Sequence, residues 1–277
     1  MRRLSIMMSA MQRLLQRLLI ILLAFLACSA LRADGLAGPA AHPALAKLPA
    51  RMLWAWERPE DLRWLPADAG VAYVASTVLL RGEEALVHPR SAPLLLAEGT
   101  ALVPVLHVDA SWREPPALSA QQSARIVQEL LRVAQRGNRN VVQLDFEVRR
   151  SQRPFLAQAM AEIRRRLDPR IALSVTALAS WCMDDAWLPA GVADEVVPMA
   201  FRMGPGQDAL RLRLHRQGFT QPVCRAAAGY ASDEPALRSV APRGYYFSPR
   251  PWTAASWRAM QADTYSATSA ATYSAIP

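Results

Sequence analysis

The chain has 277 residues, 52% of them hydrophobic, and a formal net charge of +9, which allows one large domain or two small ones and an ample core. The charge does not point to nucleic acid. Arg2, Arg3, Arg13, Arg17 and Arg32 lie in residues 1–33 with no acid, and taking those five from the 32 basic residues leaves 27 against 23 acidic ones, a net of +4. The other arginines are scattered through predicted helices, as at Arg164-Arg165-Arg166, and not arranged as a basic stripe with interleaved aromatics.

Residues 1–33 read as an export signal: arginines first, then the apolar run Leu18 to Cys28, then small residues. Eleven apolar residues are short for a membrane span, which needs about 20. One reading cleaves near Ala30 or Ala33. The other treats Leu26-Ala27-Cys28 as a lipoprotein signal with Cys28 as the acylation site, although Phe25 and Leu26 match that pattern poorly. The expected location is therefore the periplasm or a lipid-anchored position, with membrane contact only through this segment. Residues 34–50 form a Gly/Pro/Ala linker.

The folded part is expected over 51–262. Strands are predicted at Met52 to Glu57, Val71 to Leu80 (continuing as a hairpin through Leu86-Val87), Leu102 to Val108, Gln143 to Glu147, Ile171 to Leu178, Val196 to Phe201, Pro222 to Tyr230 and Gly244 to Phe247. Helices are predicted at Ser119 to Arg136 with Ser119 as cap, Ser151 to Leu167, Gln207 to Gln217 ended by Gly218, and Thr253 to Met260. The small polar stretch 263–277 reads as a disordered tail. Strands alternating with helical segments imply parallel βαβ units, and eight candidates fit a single-domain (β/α)8 TIM-like barrel. No GxGxxG or GxxxxGK[ST] follows a strand, which removes the usual reason to expect the competing open nucleotide-binding sheet, and no cofactor is expected.

Within Val141 to Val148 the polar residues Gln143, Asp145 and Glu147 fall at every second place, so they share one strand face while Val142, Leu144 and Phe146 share the other. Two carboxylates at that spacing lie about 7 Å apart, close enough to hold one acid partly protonated. In a barrel of this type, catalytic groups stand at the carboxyl ends of the strands. Those ends present Glu57, His107 and Asp109, then Asp145 and Glu147, then Arg202. Trp181, Tyr230 and Trp252 lie near or just beyond strand ends. Carboxylates, an Arg, a His and aromatic rings together suit a carbohydrate, through acid chemistry at a glycosidic bond and stacking on sugar faces.

On this reading Glu147 is the general acid, Asp145 tunes it, and Asp109 and Glu57 are candidate second carboxylates. Arg202, Trp181, Tyr230, Trp252, His107 and Gln143 are candidate substrate contacts, and the partner is a glycan or cell-envelope polysaccharide. His107 could equally be a satisfied core histidine, and the absence of HxH and HExxH spacings argues against a metal. The alternative function is a non-catalytic barrel that binds polysaccharide or envelope partners. Oligomeric state is not legible. Export and the even pair Cys182 and Cys224 suggest a disulfide. The register argues against it, because Cys182 follows a strand and Cys224 stands near the start of one, at opposite barrel ends.

Several segments resemble the bacterial family known as domain of unknown function 3142. They are Trp54-Ala55-Trp56-Glu57-Arg58-Pro59-Glu60-Asp61-Leu62, Gln143 to Glu147, Ser151-Gln152-Arg153, Ser174 to Cys182, Val197 to Gly204 and Ser232-Asp233-Glu234-Pro235. The resemblance covers about 52–252 and implies no assigned activity. Where that family's fourth-strand motif more often ends in Asp, this chain has Glu147. More distantly, Asp145-Phe146-Glu147 is similar to the DxE pair of chitinase-type glycoside-hydrolase barrels. Met199-Ala200-Phe201-Arg202 keeps the Met and the aromatic of their sixth-strand motif, with Arg in place of the acid.

Overall fold

The computed structural model describes residues 41–136, 139–235, 237 and 241–262. The chain divides into two compact units, Met1–Ala41 and His42–Pro277. The export segment, Cys28 and the tail 263–277 lie outside the described residues.

In chain order the second unit contains α1 (Pro43–Ala46), β1 (Arg51–Ala55), β2 (Glu60–Asp61), β3 (Ala69–Arg81), β4 (Glu84–Pro89), β5 (Leu94–Leu95), β6 (Ala101–Ala110) and α2 (Ala120–Gln135). Then come β7 (Val141–Asp145), α3 (Arg153–Arg166), β8 (Ala172–Leu178), β9 (Glu195–Met199), α4 (Gln207–Gln217), β10 (Ala227–Ala231) and β11 (Arg243–Phe247). Residues 254–262 are helical. Strands β1, β3, β6, β7, β8, β9, β10 and β11 pair in parallel in that order, and β1 pairs with both β11 and β3, which closes a (β/α)8 TIM-like barrel. Among the described residues the crossovers after β1, β3, β8 and β10 carry no α-helix.

β3 runs 13 residues. Its lower half pairs with β1, its upper half turns back as an antiparallel hairpin with β4, and a bulge falls between Val74 and Ser76 where it runs beside β6. The hairpin is the one expected from Leu86-Val87.

The period-two pattern decides which side of each strand faces which layer. On β7, Val142 and Leu144 point outward and pack with Ile126 and Leu130 of α2 and Leu156, Met160 and Ile163 of α3. Ser119 caps α2: its hydroxyl accepts from the Gln122 N–H, and the Gln122 side chain answers at the Ser119 N–H, both at 3.3 Å. α4 ends at Gly218, whose φ of 67° lies in the left-handed region.

The interior mixes apolar side chains (Met52, Trp54, Val74, Val103, Val105, Val197) with a polar ladder. The Trp54 indole N–H donates to Gln143 Oε1 at 2.9 Å, and Gln143 Nε2 donates to Ser174 Oγ at 3.0 Å. The hydroxyls of Ser174 and Tyr245 both donate to Glu195 Oε2 at 2.8 Å. Glu195 Oε1 is ion-paired with Arg243. Every member of the ladder has a partner, which is what permits polar groups in a barrel interior.

Two expectations change. Within the span read as linker, α1 is an ordered helix whose Ala44 and Leu45 are buried, and the Arg243 guanidinium donates to the carbonyls of Leu45 (2.6 Å) and Pro49 (3.2 Å). Cys182 and Cys224 also form a disulfide, with Cα atoms 5.7 Å apart. The register argument failed because neither cysteine stands at a strand end. Both sit in 3-10 turns, Ala179–Cys182 and Pro222–Cys224, which pack on β9. Strand β10 begins only at Ala227, and the N–H groups of Thr220 and Gln221 reach back to the Cys182 carbonyl at 3.2 Å each.

Candidate functional site

At the carboxyl end of the barrel a cavity of about 350 Å³ is lined by Trp56, His107, Asp109, Asp145, Glu147, Phe201, Arg202 and Phe247, with Val108, Leu178 and Met199. Small residues make the room. The inward positions of β10 are Ala227, Gly229 and Ala231, and a Cβ at Gly229 would meet Phe247 at 3.0 Å and Phe201 at 3.3 Å.

Asp145 is buried and held on both sides. His107, its direct partner in the β6–β7 register, places Nδ1 2.7 Å from Oδ2, and the Thr176 hydroxyl donates to Oδ1 at 2.6 Å. The Trp56 ring stands edge-on to the imidazole at 5.7 Å between centroids. Burial alone would lower the His107 pKa, but the hydrogen bond and charge of Asp145, with Asp109 and Glu147 nearby, carry it above the ordinary imidazole value. Glu147 opens to solvent at the mouth. The protein around it still withholds enough water, and Asp145 adds enough like charge, to raise its carboxyl above the usual range against the pull of His107 and Arg202.

Arg202 adopts a left-handed backbone (φ 47°) just past β9. Glu234 holds it there by accepting its N–H at 2.7 Å, and its guanidinium pairs with Asp233 at 3.0 Å. Glu147 is thus left without a direct ion pair among the described residues.

The structure brings Asp109, His107, Asp145, Glu147 and Arg202 together and sends other candidates elsewhere. Gln143 lies deeper, in the interior ladder. Glu57 turns onto the loop before β5, where Oε1 accepts the N–H groups of Ser91 (2.8 Å) and Ala92 (3.0 Å) and Arg90 approaches Oε2 at 3.4 Å. Trp181, Tyr230 and Trp252 are buried in the outer layer between strands and helices. Tyr230 follows an inward Gly229 and must point outward. Trp181 packs on Trp187 at 4.8 Å, and the Trp252 indole donates to the Trp54 carbonyl at 3.1 Å. The rings that do line the cavity are Trp56, Phe201 and Phe247. Strand parity could have found them, since Trp56 continues the inward series of Met52 and Trp54, and Phe247 that of Tyr245.

No family model matches the chain, and no curated protein matches it. Among solved structures, one assigned as a chitinase A from Streptomyces coelicolor is similar with a TM-score of 0.51 and 10% identity, covering 80% of this chain and 99% of that one. A GH18 chitinase from Pseudoalteromonas aurantia gives 0.46 and 10%, over 71% of this chain and 93% of that one. The spore cortex-lytic enzyme SleL of Bacillus cereus gives 0.45 and 16%, over 65% of this chain, which spans 50% of that enzyme. At 10% identity the first of these likenesses speaks for the fold alone: this chain is a TIM barrel.

Proposed function

We propose that the protein is an exported glycoside-hydrolase-like barrel that acts on a glycan, with Glu147 as the general acid. The observation that carries this reading is a carboxyl raised above its usual range at the mouth of an aromatic-lined cavity, beside a second carboxylate fixed in place. An acid of that kind keeps its proton long enough to give it to a leaving oxygen. Asp145 supplies the neighbouring charge, Asp109 is the candidate second carboxylate, and Trp56, Phe201 and Phe247 offer ring faces to the sugar. Arg202, held to one side by Asp233, is positioned for a polar substituent.

The pattern of residues 1–33 supports export to the periplasm or anchoring through Cys28. Kinship with domain of unknown function 3142 rests on the shared segments alone and adds no activity.

The test is binding and hydrolysis of a soluble glycan panel, wild type beside Glu147→Gln. Turnover lost with binding retained supports the hydrolase. Binding without turnover in either form transfers the reading to a polysaccharide-binding barrel. Absence of binding in both removes the carbohydrate assignment.

A further inference from the structure

The geometry points to His107 as a positioning residue: together with Thr176 it locks Asp145, so that the carboxylate pair keeps one mobile proton and that proton resides on Glu147. For its catalytic consequence this rests on the glycan-hydrolase reading above; the lock itself does not.

A pair of neighbouring carboxylates commonly shares a proton, because two like charges so close cannot both ionise. Here that exchange is blocked on one side. Asp145 Oδ1 takes the Thr176 hydroxyl at 2.6 Å and Oδ2 takes His107 Nδ1 at 2.7 Å. With a donor on each oxygen the ionised form of Asp145 is the one the site favours, which leaves the shared proton to Glu147. The two donors come from the strands on either side of β7, so the carboxylate is gripped from both neighbours.

His107 satisfies Nδ1, and among the described residues its Nε2 has no partner, while the ring lines the cavity and 27% of the side chain remains accessible. The groups around it are Asp145 on β7 and Glu147 just past it, Asp109 on its own strand, Arg202 past β9, Trp56 past β1, and Thr77, its register partner on β3. Carboxylates outnumber the one other cation in this set, so an imidazolium is favoured here. Its charge offsets Asp145 and keeps Glu147 from rising so far that it no longer gives up its proton.

The experiment compares His107→Asn, His107→Ala and Thr176→Val in the full chain. The Asn amide keeps a donor towards Asp145 without the charge, whereas Ala removes both. The expected result is a fall in kcat for His107→Ala of about tenfold to a hundredfold, the rate equivalent of one hydrogen bond to a charged group, with KM little changed. Thr176→Val should fall in the same direction. His107→Asn should recover most of kcat, with the limb of the pH profile that belongs to Glu147 displaced upward. Equal loss in Asn and Ala, or a loss confined to KM, overturns the proposal. A second readout needs no substrate. The His107 imidazole titration, followed by NMR, should move down in Asp145→Asn; an unchanged titration overturns the lock whatever the fate of the hydrolase reading.

Discussion

Arg243 and Glu195 form an ion pair inside the lower end of the barrel, where the Glu195 side chain is wholly buried and 14% of Arg243 is accessible. Tyr245 shares the carboxylate, and burial together with the Glu195 charge pushes its hydroxyl well above the ordinary tyrosine value. Removing one partner of such a pair strands the other. Glu195→Gln should therefore cost about 3–5 kcal/mol, read from urea unfolding. Arg243→Lys should not rescue the barrel, because one ammonium cannot reach Glu195 and two main-chain carbonyls in the same fork.

The Cys182–Cys224 bridge closes a loop of 42 residues in sequence. On the chain-entropy account a loop of that size stabilises by about 4 kcal/mol. Reduction, or the paired change Cys182→Ser with Cys224→Ser, should lower Tm by about 10 °C in a domain of this size, measured by calorimetry with and without reductant.

Glu147 has a raised carboxyl, so the folded state binds its proton more tightly than the unfolded chain does. The stability this confers is complete below the ordinary Glu value of 4.5 and is lost as pH climbs through the folded value. Glu147→Gln, which is neutral at every pH, should therefore raise Tm at pH 7. The gain should vanish near pH 4, below that ordinary value. Thermal melts across that range check it independently of any activity.

Trp181 and Trp56 should separate cleanly. Trp181 is buried within the turn that carries Cys182, and Trp181→Ala should cost about 3–5 kcal/mol while the folded protein keeps whatever affinity the proposed glycan site has. Trp56 borders the cavity, and on the proposed glycan reading Trp56→Ala should weaken binding about tenfold, as loss of an aromatic anchor does. Binding titrations paired with unfolding curves distinguish the two.

The strand expected over Gln143 to Glu147 runs Val141–Asp145, with Glu147 just past its end, and its faces were legible because alternation is a local property: each outward Val or Leu and each inward Gln or Asp follows from a period of two. His107 and Asp109 were legible as strand-end residues for the same reason; Arg202 was legible only from its place just past a strand, because Phe201 takes the inward position and the left-handed backbone at Arg202 is what brings it to the cavity. Glu57 was not, because whether a carboxylate past a strand faces the axis or caps the next loop depends on where Ser91 and Ala92 fall, 34 and 35 residues later. Trp181, Tyr230 and Trp252 stand near strand ends, but parity and the missing helix after β8 turn them into the outer layer. Glu195 went unread with Arg243 and Tyr245 because it stands on β9 and they stand on β11, 48 and 50 residues later with β10 between, and only the curl of the barrel brings them together in the interior.

Arg243 grips α1 and the turn after it through main-chain oxygens, those of Leu45 and Pro49. A carbonyl is the same group whatever side chain its residue carries. The seal at this end is therefore written in the path of the chain more than in its letters. Pro49, whose side chain this bond does not use, is open to exchange, while position 243 must remain an arginine. The two halves of a single contact thus carry unequal freedom to vary, and a change of path through 45–49 should unseat the barrel more readily than a change of residue there.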